Sequence, residues 1–414
     1  MLEYERPSSA GPIDMKRIPL LEHADDITAE WMQQALAAGG ASDFPEIESL
    51  EIEKLSDVAN AMGNLFRCRM IARGGAAADP ASVIVKLPTS NAIALKLARW
   101  LSLHRREYVY YRDIAPHTQV RVPSLLYGDL DPRSHRFVLV LEDLGGMEAI
   151  PQSVGVGVER ARRAIREIAG LQGRFWEAAD EPTLAACGVF LTARQRRIMQ
   201  TLYLLTLPLA FQRFGELFTA DTRRLAEALG TRLDAHFAAV AKGPKTVVHG
   251  DYRGDNVLFG GEGQDDFAVI DWQGCGIGCG MYDVAFFLAT SVSIDDRRRV
   301  ERDAVGEYHD IVCRMGAKNY SRDDCWRSYR QNMLGTLMPM VLGAGGIDVS
   351  DEALRSQTRE LLGRTLTAIE DLDAGEFLPA GGRPFSSTGA FSILSRCGYK
   401  AYRCLLSMRR RRGD

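Results

Sequence analysis

Between two apolar runs, the stretch VVHGDYRGDNVLF (Val247 to Phe259) packs a His, two Asp, an Arg and an Asn into one turn. Asp251 and Asn256 lie five positions apart in a loop that strand-like residues enter and leave, and a second apolar run, FAVIDW, ends in Asp271. The Asn256 amide and the Asp271 carboxylate, on facing loops, are hard oxygen donors. Such a pair suits magnesium, which is usually held by few protein groups together with phosphate oxygens. Asp251 is then free of the metal, and a carboxylate in that position can accept a hydroxyl proton as a phosphoryl group is transferred. Arg253 reads either as a guanidinium aimed at that phosphoryl group or as an ordinary surface Arg, since Arg suits phosphate in both settings. Asp255 reads as a residue that shapes the loop.

Loops so far apart in sequence meet only if regular elements hold them. The first third of the chain is strand-rich. A helix from Thr28 as N-cap to Gly39 as stop precedes strand-like IESLEIEKL from Ile47, LFRCRMIA with Phe66, Cys68 and Met70 alternating, and SVIVKLP from Ser82. These three predict an antiparallel sheet, joined by a further strand from Phe137 to Leu141. A long helical pattern from Asn91 to about Asp113 lies between the third and fourth strands. Beyond Gly145-Gly146 the pattern turns helical: Glu159 to Glu177, Thr192 to about Phe218, Thr222 to Val240, and several helices after Tyr282. Only TVVHGD, NVLFG and FAVIDW interrupt it. The expected class is α+β and bilobal: a nucleotide-binding lobe over residues 1–143 and a helical catalytic and substrate-binding lobe over residues 144–414.

HGDYRGDN, then VIDWQ, then GCGMYDVAFFL, in that order, resemble the aminoglycoside phosphotransferase and choline kinase-like superfamily, and within it most closely the ecdysteroid-kinase-like branch. The resemblance covers the chain from Ser56 to Leu288 and implies a protein-kinase-like fold with ATP and Mg2+ as cofactors. It implies Asp251 as catalytic base, Asn256 and Asp271 as magnesium ligands, His249 as an orienting residue, and Asp283 as the structural acid tying a helix to the loop. A kinase of this type also needs a strand Lys on the α- and β-phosphates, held by a helix Glu. Lys86 in SVIVKLP is flanked by apolar residues, a costly place for an ammonium unless an anion meets it; the plainer reading is an edge-strand Lys reaching water. Glu107 in HRREYVYY is the matching acid, or else part of a solvated face beside Arg105 and Arg106. VLVLEDLGG resembles the interlobe hinge, where backbone groups around Glu142 to Leu144 would meet the adenine edge. LSDVANAMGNLFRCRM stands where the phosphate-covering loop belongs. It carries Gly63 alone in place of GxGxxG, with Asn60 and Asn64 nearby, so Gly63 and Asn64 are its candidate contacts.

Twelve positions separate Asp271 from Asp283, too few for a peptide-binding platform, so the acceptor is expected to be a small hydroxylated molecule. TLYLLTLPLAFQRFGELF from Thr201 and MLGTLMPMVLGAGG from Met333 are either core or the wall of an apolar pocket for a steroid or terpenoid alcohol or a hydroxyacyl thioester. The alternatives are an aminoglycoside- or choline-type kinase and a catalytically silent nucleotide-binding scaffold. A Ser- or Cys-based hydrolase finds no G-x-S-x-G elbow in this chain.

Composition sets the background. The 414 residues are 46% apolar and 25% charged with a net charge of −3, so no global field recruits nucleic acid or an anionic membrane. The exception is the run Arg409 to Arg412, read as a solvated end. Eight cysteines without CxxC spacing suggest buried thiols of a reducing compartment, and Cys275 and Cys279 lack the companions a zinc site needs. MLEYERPSSAGPID has no signal-peptide pattern, and no apolar run approaches the ~18 residues of a membrane span; a cytoplasmic protein is the expectation.

Overall fold

The computed structural model describes residues 17–21, 23–41, 44–55, 63–74, 81–134, 136–178, 181–261, 264–346 and 350–381. The N-terminal segment before residue 17, Asn60 and most of the candidate phosphate loop, Cys397, Cys404 and the Arg409 to Arg412 run lie outside the described residues.

Helix α1 (Ala29–Ala38) begins where its cap predicts: the Trp31 amide donates to the Thr28 hydroxyl, and Gly39 ends the helix. Such a cap satisfies an otherwise orphaned N–H and contributes about 1 kcal/mol. Strands β1 (Ile47–Lys54), β2 (Gly63–Ala72) and β3 (Ser82–Pro88) follow, then helices α2 (Ala92–Leu101) and α3 (Leu103–Val109), then β4 (Leu125–Leu130) and β5 (Phe137–Glu142). The five strands form one antiparallel sheet in the order β1-β2-β3-β5-β4. Alternation along the strands sorts the side chains. Phe66, Cys68 and Met70 of β2 and Val83, Val85 and Leu87 of β3 share a buried cluster with Trp31, Met32 and Leu36 of α1. Each large apolar side chain buried there is worth about 1.5–3 kcal/mol. The intervening Ile84 and Lys86 therefore take the opposite face, toward α3 and the rest of the chain.

Two features depart from the sequence reading. Strand β4 was not anticipated, because it carries Gly128 and Asp129, residues depleted from strands; pairing with β5 overrides that preference. The helix expected over residues 91–113 is broken at Ser102, whose φ of 59° is left-handed, and it closes in a π-helical turn from Tyr110 to Ile114. The apolar spacing runs on through the break, which is why the pattern looked continuous.

The C-terminal lobe opens with the short strand β6 (Glu148–Ala149), α4 (Val158–Arg174), α5 (Pro182–Ala185) and α6 (Ala193–Phe214), the last started by a capping box between Thr192 and Gln195. The single helix expected from Thr222 to Val240 is two, α7 (Ala220–Gly230) and α8 (Leu233–Val240). Short strands β7 (Thr246–Val248), β8 (Val257–Phe259), β9 (Phe267–Val269) and β10 (Gly276–Gly278) then form the ladders β6-β8-β9 and β7-β10. Helices α9 (Met281–Thr290), α10 (Ile294–Arg314), α11 (Arg322–Gly335), α12 (Leu337–Gly346) and α13 (Glu352–Asp371) complete the lobe. Every residue of α9 is buried, so this helix is a fixed post against which the β7–β8 loop can be set. Among the described residues no helix is long and apolar enough to cross a membrane.

Candidate functional site

The loop between β7 and β8 is tied down from beneath. The Asp283 carboxylate, in the first turn of α9, accepts the amides of His249 at 2.8 Å and Gly250 at 2.9 Å, and the Gln172 side chain at 2.9 Å. Gly250 has φ +82°, and a Cβ there would lie 2.4 Å from the Gly274 carbonyl oxygen, so only glycine fits. His249 is fully buried; the Asp251 amide donates to its Nδ1 at 3.2 Å, and its Nε2 lies 2.9 Å from the Ile270 carbonyl oxygen. These partners select the neutral tautomer protonated on Nε2. Burial pushes the imidazole down to about 4, in keeping with that state. One ring thus couples the Asp251 loop to the residue preceding Asp271, the orienting role expected of it.

Asp251 Oδ2 meets Arg253 Nε at 3.2 Å and Asn256 Nδ2 at 3.1 Å, and Oδ1 has no partner among the described residues. Its side chain is 34% exposed, facing a cavity. Burial raises its carboxyl above the ordinary range, helped by the Asp271 charge and opposed by Arg253. Arg253 is not an ordinary surface residue: its Nη1 holds Asp255 Oδ2 at 2.7 Å and Gln152 Oε1 at 3.0 Å. Asn256 turns its NH2 to the Asp251 carbonyl at 2.9 Å as well, leaving its Oδ1 without a partner among the described residues.

Facing this loop, Asp271 follows β9 in a left-handed conformation, φ 63° and ψ 58°, uncommon outside glycine and a recurrent feature of functional positions. Its Oδ1 accepts Lys86 Nζ at 2.7 Å, and Lys86 Nζ also donates to Glu107 Oε1 at 2.7 Å. Lys86 is 5% exposed and Glu107 1%, so both plainer readings, a strand Lys reaching water and a solvated Glu, are excluded. Burial pulls Lys86 down, but Asp271 and Glu107 more than offset it and hold it above the usual lysine range. Burial raises Glu107, because one ammonium shared between two carboxylates cannot neutralise both; its Oε2 has no partner among the described residues.

These groups line one cavity of about 620 Å3 between sheet and helices, together with Gly63, Glu142 and Leu144. A Cβ on Gly63 would press on Lys86 Cε at 3.1 Å, so a glycine keeps the strand close to the lysine. Asn64 is not brought to this lining; its amide donates to the Pro88 carbonyl at 3.0 Å. The Glu142 carboxylate turns to Arg121 and Ser124, and its amide donates to the Ser124 carbonyl. The Leu144 carbonyl accepts the Met147 amide, and both Glu142 and Leu144 stay on the cavity lining. Sequence reasoning assigned nothing to Gln273, whose Nε2 donates to Asp271 Oδ2 at 3.1 Å, or to Gln152, which holds Arg253. Gln273 stood within the quoted VIDWQ, so its spacing from Asp271 was the available signal. Of the two apolar stretches, Tyr203, Leu207, Met333 and Met338 are core, whereas Leu202, Phe211 and Met340 are only partly buried.

The model of the family described as "Phosphotransferase enzyme family" matches residues 78–319, more than half of the chain and inclusive of Lys86, Glu107, Asp251, Asn256 and Asp271. The chain belongs to this phosphotransferase family. No curated protein matches the sequence. A candidate aminoglycoside phosphotransferase of Ralstonia eutropha JMP134 is similar in structure, with a TM-score of 0.50 at 18% identity over 83% of this chain and 97% of that one. A choline kinase of Cryptosporidium parvum scores 0.48 at 11% identity, over 80% and 92% of the two chains. An ethanolamine kinase of Plasmodium vivax scores 0.44 at 11% identity, over 85% and 89%. The phosphotransferase thus has the kinase-like α+β fold expected of it.

Proposed function

We propose that this phosphotransferase moves the γ-phosphoryl group of ATP to the hydroxyl of a small molecule, with Asp251 as the base. The observation that carries the reading is the Lys86 ammonium bridging Glu107 and Asp271 on the lining of the same cavity as Asp251, whose Oδ1 has no partner among the described residues. A buried cation between two acids from separate elements is costly unless it serves an anionic ligand. In this reading Lys86 binds the α- and β-phosphates while Glu107 holds its position, backbone groups near Leu144 meet the adenine, and Asp251 takes the acceptor's proton.

The residues present fit magnesium. The Asn256 Oδ1, without a partner among the described residues, and the Asp271 carboxylate are hard oxygen donors, and among the described residues no three His, Cys, Asp or Glu side chains converge to make a different kind of metal site. When bound, Mg2+ supplies charge neutralisation at the phosphate oxygens. Asp271 is steadied for that task by Gln273, and Asn256 by Asp251. Arg253, clamped by Asp251, Asp255 and Gln152, fixes the direction of the base.

We assign the nucleotide-binding lobe to residues 1–143 and the substrate lobe to residues 144–414. The acceptor class proposed is a lipophilic alcohol, on the resemblance to the ecdysteroid-kinase-like branch alone, since Leu202, Phe211 and Met340 pack against the core and do not line the cavity. Labelled-phosphate transfer from ATP, with and without a magnesium chelator, over sterols, terpenoid alcohols, hydroxyacyl thioesters, choline analogues and aminoglycosides tests both levels. Transfer to choline or aminoglycosides alone overturns the acceptor class, and no magnesium-dependent transfer to any alcohol overturns the activity.

A further inference from the structure

Behind the cavity, two thiols far apart in sequence meet. Cys187 Sγ lies 3.2 Å from Cys275 Sγ, across 88 positions of chain, and the two residues are 1% and 0% exposed. The transfer reaction uses neither. Arg106, next to Glu107, pins the segments that carry them: its Nη1 donates to the Cys275 carbonyl at 2.8 Å and its Nη2 to the Val189 carbonyl at 2.7 Å. Cys275 follows Asp271 by four residues. The pair therefore joins the connection around Cys187 to the segment that begins at the candidate metal ligand.

We propose that Cys187 and Cys275 form a redox-modification site, converted to an intrachain disulfide by a low-molecular-weight disulfide and restored by small thiols. The hydrogen bond from the Cys275 thiol, aided by Arg106 and Arg105, holds Cys187 below the ordinary thiol range, which makes it the attacking sulfur. The Cys187 thiolate attacks one sulfur of the small disulfide, and the first small thiolate leaves. The Cys275 thiol gives its proton to that leaving thiolate and attacks the Cys187 sulfur, expelling the second. The second small thiolate takes up the proton that Cys187 released on ionising, so two protein thiols and one disulfide become one protein disulfide and two small thiols.

Access is local. Val189, two residues past Cys187, is 52% exposed, so the connection runs at the surface, and the oxidant reaches Cys187 by a local opening that releases the Arg106–Val189 contact and the backbone hydrogen bonds of Gly188 and Phe190 to Ile277. Beside it a cavity of about 280 Å3 is lined by Arg17, Arg99, Arg105, Arg112 and Ala186, the last adjacent to Cys187. Arg17 and Arg112 are paired with Asp129 and Asp113, so Arg99 and Arg105 supply the attraction for an anionic oxidant. The bond itself is independent of the proposed reaction; its bearing on turnover rests on the role given to Asp271.

The test equilibrates the full chain with mixtures of oxidised and reduced glutathione, quenches in acid, alkylates in denaturant and maps the peptides without reduction. The expected result is a Cys187–Cys275 linked peptide, about 2 Da lighter than the two thiol peptides together, in more than half of the chains while Cys68 and Cys325 still take the tag. It disappears with dithiothreitol and in both Cys187→Ser and Cys275→Ser. Mixed glutathione adducts without the linked peptide, scrambled links to other cysteines, or equal linkage in chains oxidised while unfolded would overturn the proposal. The wild-type map decides it even where a variant fails to fold. Phosphate transfer assayed on the same samples separates the two readings, because absence of transfer leaves the mass result intact.

Discussion

Replacing Lys86 by Met should expose how much of the fold depends on one charge. In the native cavity the ammonium contacts Glu107 Oε1 and Asp271 Oδ1, each at 2.7 Å, and Glu107 is all but fully buried. At an effective dielectric near 20, each contact is worth about 6 kcal/mol of gross Coulomb energy. Most of that is offset by the cost of taking the three charges out of water. Met fills the stem's volume but leaves two carboxylates facing one another without a cation. Breaking a buried pair in this way costs about 3–5 kcal/mol. Glu107→Gln, which keeps the shape and the Lys86–Asp271 contact, should cost about 1–2 kcal/mol. The double variant should be more stable than Lys86→Met alone by about 1–3 kcal/mol, because its second change removes the stranded charge. Urea unfolding of the four chains, read by tryptophan fluorescence, measures the cycle. If the double variant simply sums the two single losses, Lys86 and Glu107 are not coupled and the reasoning about the bridging ammonium is wrong.

Asp251→Asn should lower phosphate transfer by about 10²- to 10⁴-fold with nucleotide affinity within a few-fold of wild type; an unchanged rate removes Asp251 from the role of base. Gln273→Leu deletes the hydrogen bond to Asp271 Oδ2 and should weaken magnesium activation more than ATP binding, and an unaltered magnesium dependence would argue against a positioning role. Gly250→Ala places a methyl 2.4 Å from the Gly274 carbonyl at a positive φ and should cost at least about 2 kcal/mol, seen as a lower thermal midpoint; a neutral change would contradict the loop geometry. Burial holds His236 down at about 4 against an ordinary 6.5, so the folded protein binds fewer protons than the unfolded chain between those values, and stability falls as pH drops through that window. His236→Leu should flatten this loss by up to about 3 kcal/mol between pH 7 and pH 4. Part of the slope remains, since His249 is depressed in the same way. Equal urea midpoints against pH for both chains would count against the assignment.

Local order made much of this protein legible from its residues. The Thr28 cap, the period-two alternation of β2 and β3, and the tight sequence from His249 to Asn256 are short-range patterns whose physics acts within a few residues. The family resemblance rested on the last of these together with VIDWQ and GCGMYDVAFFL. Strand alternation put Lys86 on the face opposite Val85 and Leu87, but that those two enter the core beneath α1, leaving Lys86 toward the cavity, is a fact of tertiary packing. Other assignments depended on distance through space. Whether Glu107 faced water or Lys86 could not be read beside Arg105 and Arg106, since the helix break at Ser102 and packing against the sheet decide it. Strand β4 exists because β5 offers it a ladder, against its own Gly and Asp. The Lys86–Asp271 contact spans 185 positions and the Cys187–Cys275 pair 88. Side-chain identity states what a residue can do, but desolvation and Coulomb energy depend on what the folded chain places within a few ångströms of it, and only tertiary structure supplies that neighbour.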